Sequence, residues 1–304
     1  MEQGSEPTEP AKTEIDALIA LHGQRQYEAV VARGGELAIR FPRAAQIHNV
    51  LGSSNAALGR HDAAMAHFRE AIALKPDLVS AYNNLGNLLN GMERYEDAVA
   101  QYRRAIDIKP DYANALFNMG NALKALGRAE DAVAAYEQAL AIKPDHHVAL
   151  NNLGNTLKGL RRFAAAASYL ERALRIRPDY AEAHYNLGLI LMELDRPIEA
   201  AASFRQALAI NPGHVDAHIG LGKALTESRD LAGTIAAYDT VLRLRPDYDA
   251  IRAEKLHLHA RICDWETVAA EARHMPNLGV SGDIVAPYTL LVMEDEPARA
   301  RLRA

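Results

Sequence analysis

Asn84, Asn118, Asn152 and Asn186 stand 34 residues apart, and Asn87, Asn121 and Asn155 keep the same step three residues further on. A side-chain amide carries two N–H donors and an oxygen with two lone pairs, which matches the N–H and C=O groups of an extended peptide. A row of such amides can hold a polypeptide main chain with little demand on its sequence. A second reading stays open beside it: each amide bonds only local backbone within its own fold.

Other chemistry is thinly represented. His257, His259, Cys263 and His274 gather toward the C-terminal end. His259 and Cys263 are four apart and could share a helix face, but a zinc site needs three or four converging ligands, so no metal is expected. His146 and His147 fall in a turn. No G-x-x-x-x-G-K-S/T or G-x-G-x-x-G run cradles a phosphate. GVSGD at Gly279 lacks the second spacer of G-x-S-x-G. No catalytic residues and no cofactor are expected, so the chain reads as a binding protein.

Composition narrows the partners. The formal net charge is −5 with both signs mixed along the chain, which leaves no concentrated basic surface for nucleic acid. Aromatics are 6% and alanine is abundant, a balance that favours close helix packing over sheets. The one cysteine, Cys263, excludes an intrachain disulfide. The start, MEQGSEPTEPAKTEID, lacks the basic and apolar regions of a signal peptide, and no later run is long enough to span a membrane. A cytoplasmic location is expected.

The amides are positioned by a repeat. Prolines recur at 34-residue steps from Pro42 to Pro246, and glycines from Gly52 to Gly222. Alanines do so from Ala64 to Ala200 and from Ala71 to Ala207. In residues 79–112 the order is Tyr82, Leu85, Gly86, Leu89, then Ala98, Tyr102, Ala105 and Pro110. That order resembles the tetratricopeptide repeat, a helix–turn–helix unit of 34 residues. The expected fold is an all-α, right-handed superhelical solenoid. Its expected organisation is a disordered start (1–10), a degenerate first repeat (11–44), and six units at 45–78, 79–112, 113–146, 147–180, 181–214 and 215–248. Degenerate capping helices (249–275) and a truncated joining segment (276–304) follow.

On a helical wheel at about 100° per residue, the apolar first-helix residues cluster on one side of each unit. The resemblance implies that the opposite side lines a concave surface. That side holds Asn83, Asn84, Asn87 and Asn90 in the second unit, and Asn114, Phe117, Asn118, Asn121 and Lys124 in the third. The fourth places Asn151, Asn152, Asn155 and Lys158 there, and the fifth Tyr185, Asn186, Leu189 and Met192. In the sixth, Ile219 and Lys223 remain, so the face is expected to turn apolar. Lys124 and Lys158 could also clamp a terminal carboxylate.

Cys263-Asp264-Trp265, then APYTLLVMEDEPARARLRA, resembles the segment joining repeats to catalytic lobes in the O-GlcNAc transferase/SPINDLY family. That resemblance implies that Asn84, Asn118, Asn152 and Asn186 hold a polypeptide substrate. The catalytic lobes are absent from these 304 residues, and Pro287 is followed by Tyr288 where some members carry a histidine. A protein or extended-peptide partner is expected. A stand-alone adaptor is the alternative, and self-association through the convex face or open ends is a third.

Overall fold

A helix pair buries one stripe of each helix, so the spacing of small and large apolar residues decides how closely the pair packs. The computed structural model describes residues 10–270, in two units, 10–160 and 161–270. Residues 1–9, the end of the expected capping helices from 271, and the expected joining segment 276–304 lie outside the described residues.

The first unit holds nine α-helices: α1 (Lys12–Gly23), α2 (Tyr27–Arg40), α3 (Ala45–Ala57), α4 (His61–Leu74), α5 (Val79–Gly91), α6 (Tyr95–Ile108), α7 (Ala113–Ala125), α8 (Ala129–Ile142) and α9 (His147–Gly159). Each helix packs on the next, and the first helices of successive pairs also touch, α3 on α5, α5 on α7 and α7 on α9. The second unit holds α10 (Phe163–Ile176), α11 (Ala181–Glu193), α12 (Pro197–Ile210), α13 (Val215–Glu227), α14 (Leu231–Leu244), α15 (Asp249–Arg261) and α16 (Trp265–Ala270). They too pack in succession, with α11 also against α13. All regular structure among the described residues is helical.

Close approach explains the glycine ladder. A Cβ on Gly86 would lie 2.6 Å from the Tyr102 ring, and one on Gly120 would lie 2.6 Å from Tyr136. No real side chain tolerates that separation, so glycine is required although it costs about 1 kcal/mol of helix propensity. The small positions behave alike: Ala98, Ala105, Ala132 and Ala139 are fully buried. In the second unit, the larger Thr234 is also fully buried. Its hydroxyl is satisfied by donating to the Asp230 carbonyl at 2.9 Å.

A second 34-residue ladder is conformational. Residues Gly59, Glu93, Gly127, Arg161, Asp195, Arg229 and Cys263 all adopt left-handed backbone, with φ between 56° and 73°. Each ends a first helix, where a left-handed residue reverses the chain before the second helix begins. Cys263 therefore stands at an ordinary repeat turn. Asp264 accepts from the Thr267 N–H at 3.1 Å, as Asp230 does from Gly233 at 2.9 Å, and Trp265 opens α16 where Tyr95 opens α6. The Cys-Asp-Trp triplet thus occupies a repeat turn and the start of the following helix.

Candidate peptide-binding face

The first helices of the first unit carry the amides, and the second helices hold them in place. Tyr102, on α6 and 1% exposed, donates its hydroxyl to Asn87 Oδ1 at 2.8 Å. Asn118 Nδ2, from the next first helix, donates to the same oxygen at 2.9 Å and to Asn83 Oδ1 at 3.2 Å. One repeat on, Tyr136 donates to Asn121 Oδ1 at 2.7 Å, and Asn152 Nδ2 donates to it at 2.9 Å. One repeat back, Asn84 Nδ2 donates to Asn49 Oδ1 at 3.2 Å and Ser53 Oγ at 3.3 Å. Its oxygen receives Asn83 Nδ2 at 3.4 Å. Burial pushes the phenols of Tyr102 and Tyr136 well above their ordinary range, so both remain proton donors at any physiological pH.

The expected site residues separate by burial. Asn151 is 0% exposed and Asn83 is 6% exposed, so neither lines an open face; in the second unit, Asn186 is 5% exposed. The wheel treats each helix alone, whereas stacking of successive first helices covers the flanks of the polar arc. Asn84, Asn90, Asn118, Asn121, Asn152, Asn155 and Lys158 are half-buried, and Asn87 and Lys124 are exposed. One network joins Asn83, Asn84, Asn87 and Asn118, a second joins Asn121 and Asn152, and Asn90 and Lys124 stand outside both. A cavity of about 390 Å³ opens beside the first, lined by Ser53, Phe68, Asn84 and Asn87 with His22 and His61. The tyrosines escaped the sequence reading because they sit at core positions. Their signal was a phenol, rather than a phenyl ring, fifteen residues after an asparagine.

Phe117 occupies the arc position that holds Asn83 one repeat earlier. Its ring lies 6.0 Å from Tyr136 and 4.8 Å from His146. His146 caps α9, accepting from the Ala149 N–H at 3.3 Å through Nδ1. Burial, with Lys143 and His147 nearby, holds its pKa below the usual imidazole value.

In the second unit, Tyr185, Leu189 and Met192 are half-buried on α11, and Tyr185 stacks 4.7 Å from His214. At α13 and α15 charged side chains stand beside the apolar ones expected of this face. A cavity of about 320 Å³ there is lined by Met192, Lys223, Glu227, Tyr238, Glu254, His257 and Arg261, and Tyr238 donates to Glu254 Oε2 at 2.7 Å. His259 pairs with Asp264 at 2.8 Å. Among the described residues no group of three or more His, Cys, Asp or Glu side chains could hold a metal ion, and no helix is long and apolar enough to cross a membrane.

Family models described as tetratricopeptide repeat match residues 77–145, 111–179, 151–214 and 191–256, and one described as TPR repeat matches 52–92. No curated protein matches the chain. Among solved structures, YrrB, a TPR protein with an unusual peptide-binding site, is 25% identical with a TM-score of 0.57, covering 62% of this chain and 97% of its own. The C-terminal part of a TPR repeat-containing protein from Cytophaga hutchinsonii is 16% identical with a TM-score of 0.64, covering 78% and 97%. MamA from Desulfovibrio magneticus is 22% identical with a TM-score of 0.53, covering 56% and 97%. At those identities the last two speak to fold alone. Together the matched repeats span residues 52–256, and the chain belongs to the tetratricopeptide repeat family.

Proposed function

We propose that the amide-bearing face of α3, α5, α7 and α9 binds an extended polypeptide through its main chain. The observation that carries this reading is a row of partly exposed amides at repeating registers, of which Asn87, Asn118, Asn121 and Asn152 are tied down on one side only. Tied amides are pre-organised, so a guest meets hydrogen-bonding groups whose side-chain entropy is already lost. The peptide-binding site of YrrB supports the same class of partner. The second unit, taken by itself, presents Tyr185, Leu189 and Met192 as half-buried apolar groups on α11.

The test is a short linear peptide selected by display on the wild-type chain, then titrated against a variant carrying Asn118→Ala and Asn152→Ala. Binding lost with helicity retained supports the reading. Unchanged binding contradicts it, and loss of helicity would mean that the amides serve the fold alone.

The narrower reading makes this the substrate-recognition region of an O-GlcNAc transferase/SPINDLY-like enzyme. It rests on the Cys263 triplet, which stands at a repeat turn, on the shared register of the asparagines and on the segment from 276 onward. An open reading frame continuing past Ala304 into a nucleotide-sugar glycosyltransferase would support it. A stop codon there would favour a stand-alone adaptor.

A further inference from the structure

The amides of the first unit are not free to turn over. Asn87 Oδ1 receives both Tyr102 and Asn118, and Asn121 Oδ1 receives both Tyr136 and Asn152, so both lone pairs of each oxygen are filled. Turning either amide over would present N–H groups to a buried phenol and leave its hydroxyl proton without an acceptor. The tyrosine therefore selects one orientation. Among the described residues, Asn87 Nδ2, Asn121 Nδ2, Asn118 Oδ1 and Asn152 Oδ1 then have no hydrogen-bond acceptor or donor opposite them. Asn87 is exposed and Asn118, Asn121 and Asn152 are half-buried, so solvent reaches this face.

The chain's own variation follows the same logic. In the second unit Tyr238 meets Glu254, a carboxylate that can only accept. Phe204 has no hydroxyl, and Leu189 stands fifteen residues before it where Asn87 and Asn121 precede their tyrosines. Phe68 is likewise preceded by Ser53. Asn155 is the one amide of this register with an apolar residue, Leu170, fifteen positions on.

We propose that Tyr102 and Tyr136 are positioning residues that set the direction in which a bound main chain is read. Each relay offers the guest one donor, from Asn87 or Asn121, and one acceptor, from Asn118 or Asn152. That pair matches the C=O and N–H of a main chain running one way and opposes the same chain reversed. The inference rests on the peptide-binding reading of this face.

The test compares two probes, the display-selected peptide and its retro-inverso analogue, each fluorescein-labelled. The analogue keeps the side-chain layout but reverses every amide. Wild type is expected to bind the analogue at least about tenfold more weakly, and the Tyr102→Phe/Tyr136→Phe variant to narrow the gap to within about threefold. Phenylalanine already fills this register at Phe68 and Phe204, both at most 1% exposed, so the variant has room to fold. Equal binding of both probes by wild type, or an unchanged gap in the double variant, overturns the proposal. Failure to select any peptide overturns the binding reading beneath it instead.

Discussion

Tyr136 donates its hydroxyl to Asn121 Oδ1 at 2.7 Å, so a side chain buried in the core of one helix pair fixes an amide on the face of the first helices. Packing and recognition meet in that bond. Replacing Tyr136 by phenylalanine keeps the ring against Gly120 and removes only the hydroxyl. Because Asn121 is half-exposed and water can fill its vacated lone pair, the expected loss is about 1 kcal/mol. Chemical denaturation measures it, and a loss several times larger would mean that the relay supports the core itself.

Gly120 and Gly35 are both helical, yet they should answer alanine with opposite signs. At Gly120 the new Cβ would sit 2.6 Å from the Tyr136 ring, whereas at Gly35 nothing lies within 4 Å. Overpacking costs about 1–3 kcal/mol, against about 1 kcal/mol regained in helix propensity. Gly120→Ala is expected to lower the melting temperature and Gly35→Ala to raise it. The same sign for both would contradict the packing account.

Glu93 holds a φ of 59° at the register where Gly59 and Gly127 hold 73°. A side chain in left-handed backbone is disfavoured, and glycine removes the conflict at some entropic cost. Glu93→Gly is expected to stabilise the chain by a few tenths to about 1 kcal/mol. Destabilisation would show that the Glu93 side chain contributes more than its backbone strain removes.

Acid should weaken the first unit. Burial holds His22, His67 and His146 below their ordinary pKa, with His48 adding to the effect at His67. The unfolded chain therefore takes up these protons first. Stability is full above about pH 6.5 and falls as pH drops through that value toward the lower folded ones. His146→Asn keeps a capping acceptor, and His67→Gln copies Gln101 one repeat on, so the pair should flatten the slope of melting temperature against pH. An unchanged slope would exclude these two histidines as its cause.

The helical repeat was legible because its signals are periodic. Proline, glycine and alanine ladders at one step point to a helical repeat, although the left-handed turn register carries glycine only at Gly59 and Gly127. The site was only partly legible. Burial of Asn83 and Asn151 depends on where the neighbouring first helix lies, which a single-helix wheel does not contain. The Tyr–Asn relay joins residues fifteen apart on two helices, so neither helix reveals it alone. Cys263-Asp264-Trp265 shows the converse: the triplet that carried a family resemblance in the sequence also stands at one more turn in the series.

The most direct measurement follows the side-chain amide resonances of Asn87 and Asn121 by NMR while the display-selected peptide is titrated in. A guest held by these amides should shift both pairs of N–H signals, with the same dissociation constant as the binding isotherm. If backbone signals move while those of Asn87 and Asn121 stay fixed through saturation, the peptide binds elsewhere and the amide face is not its site.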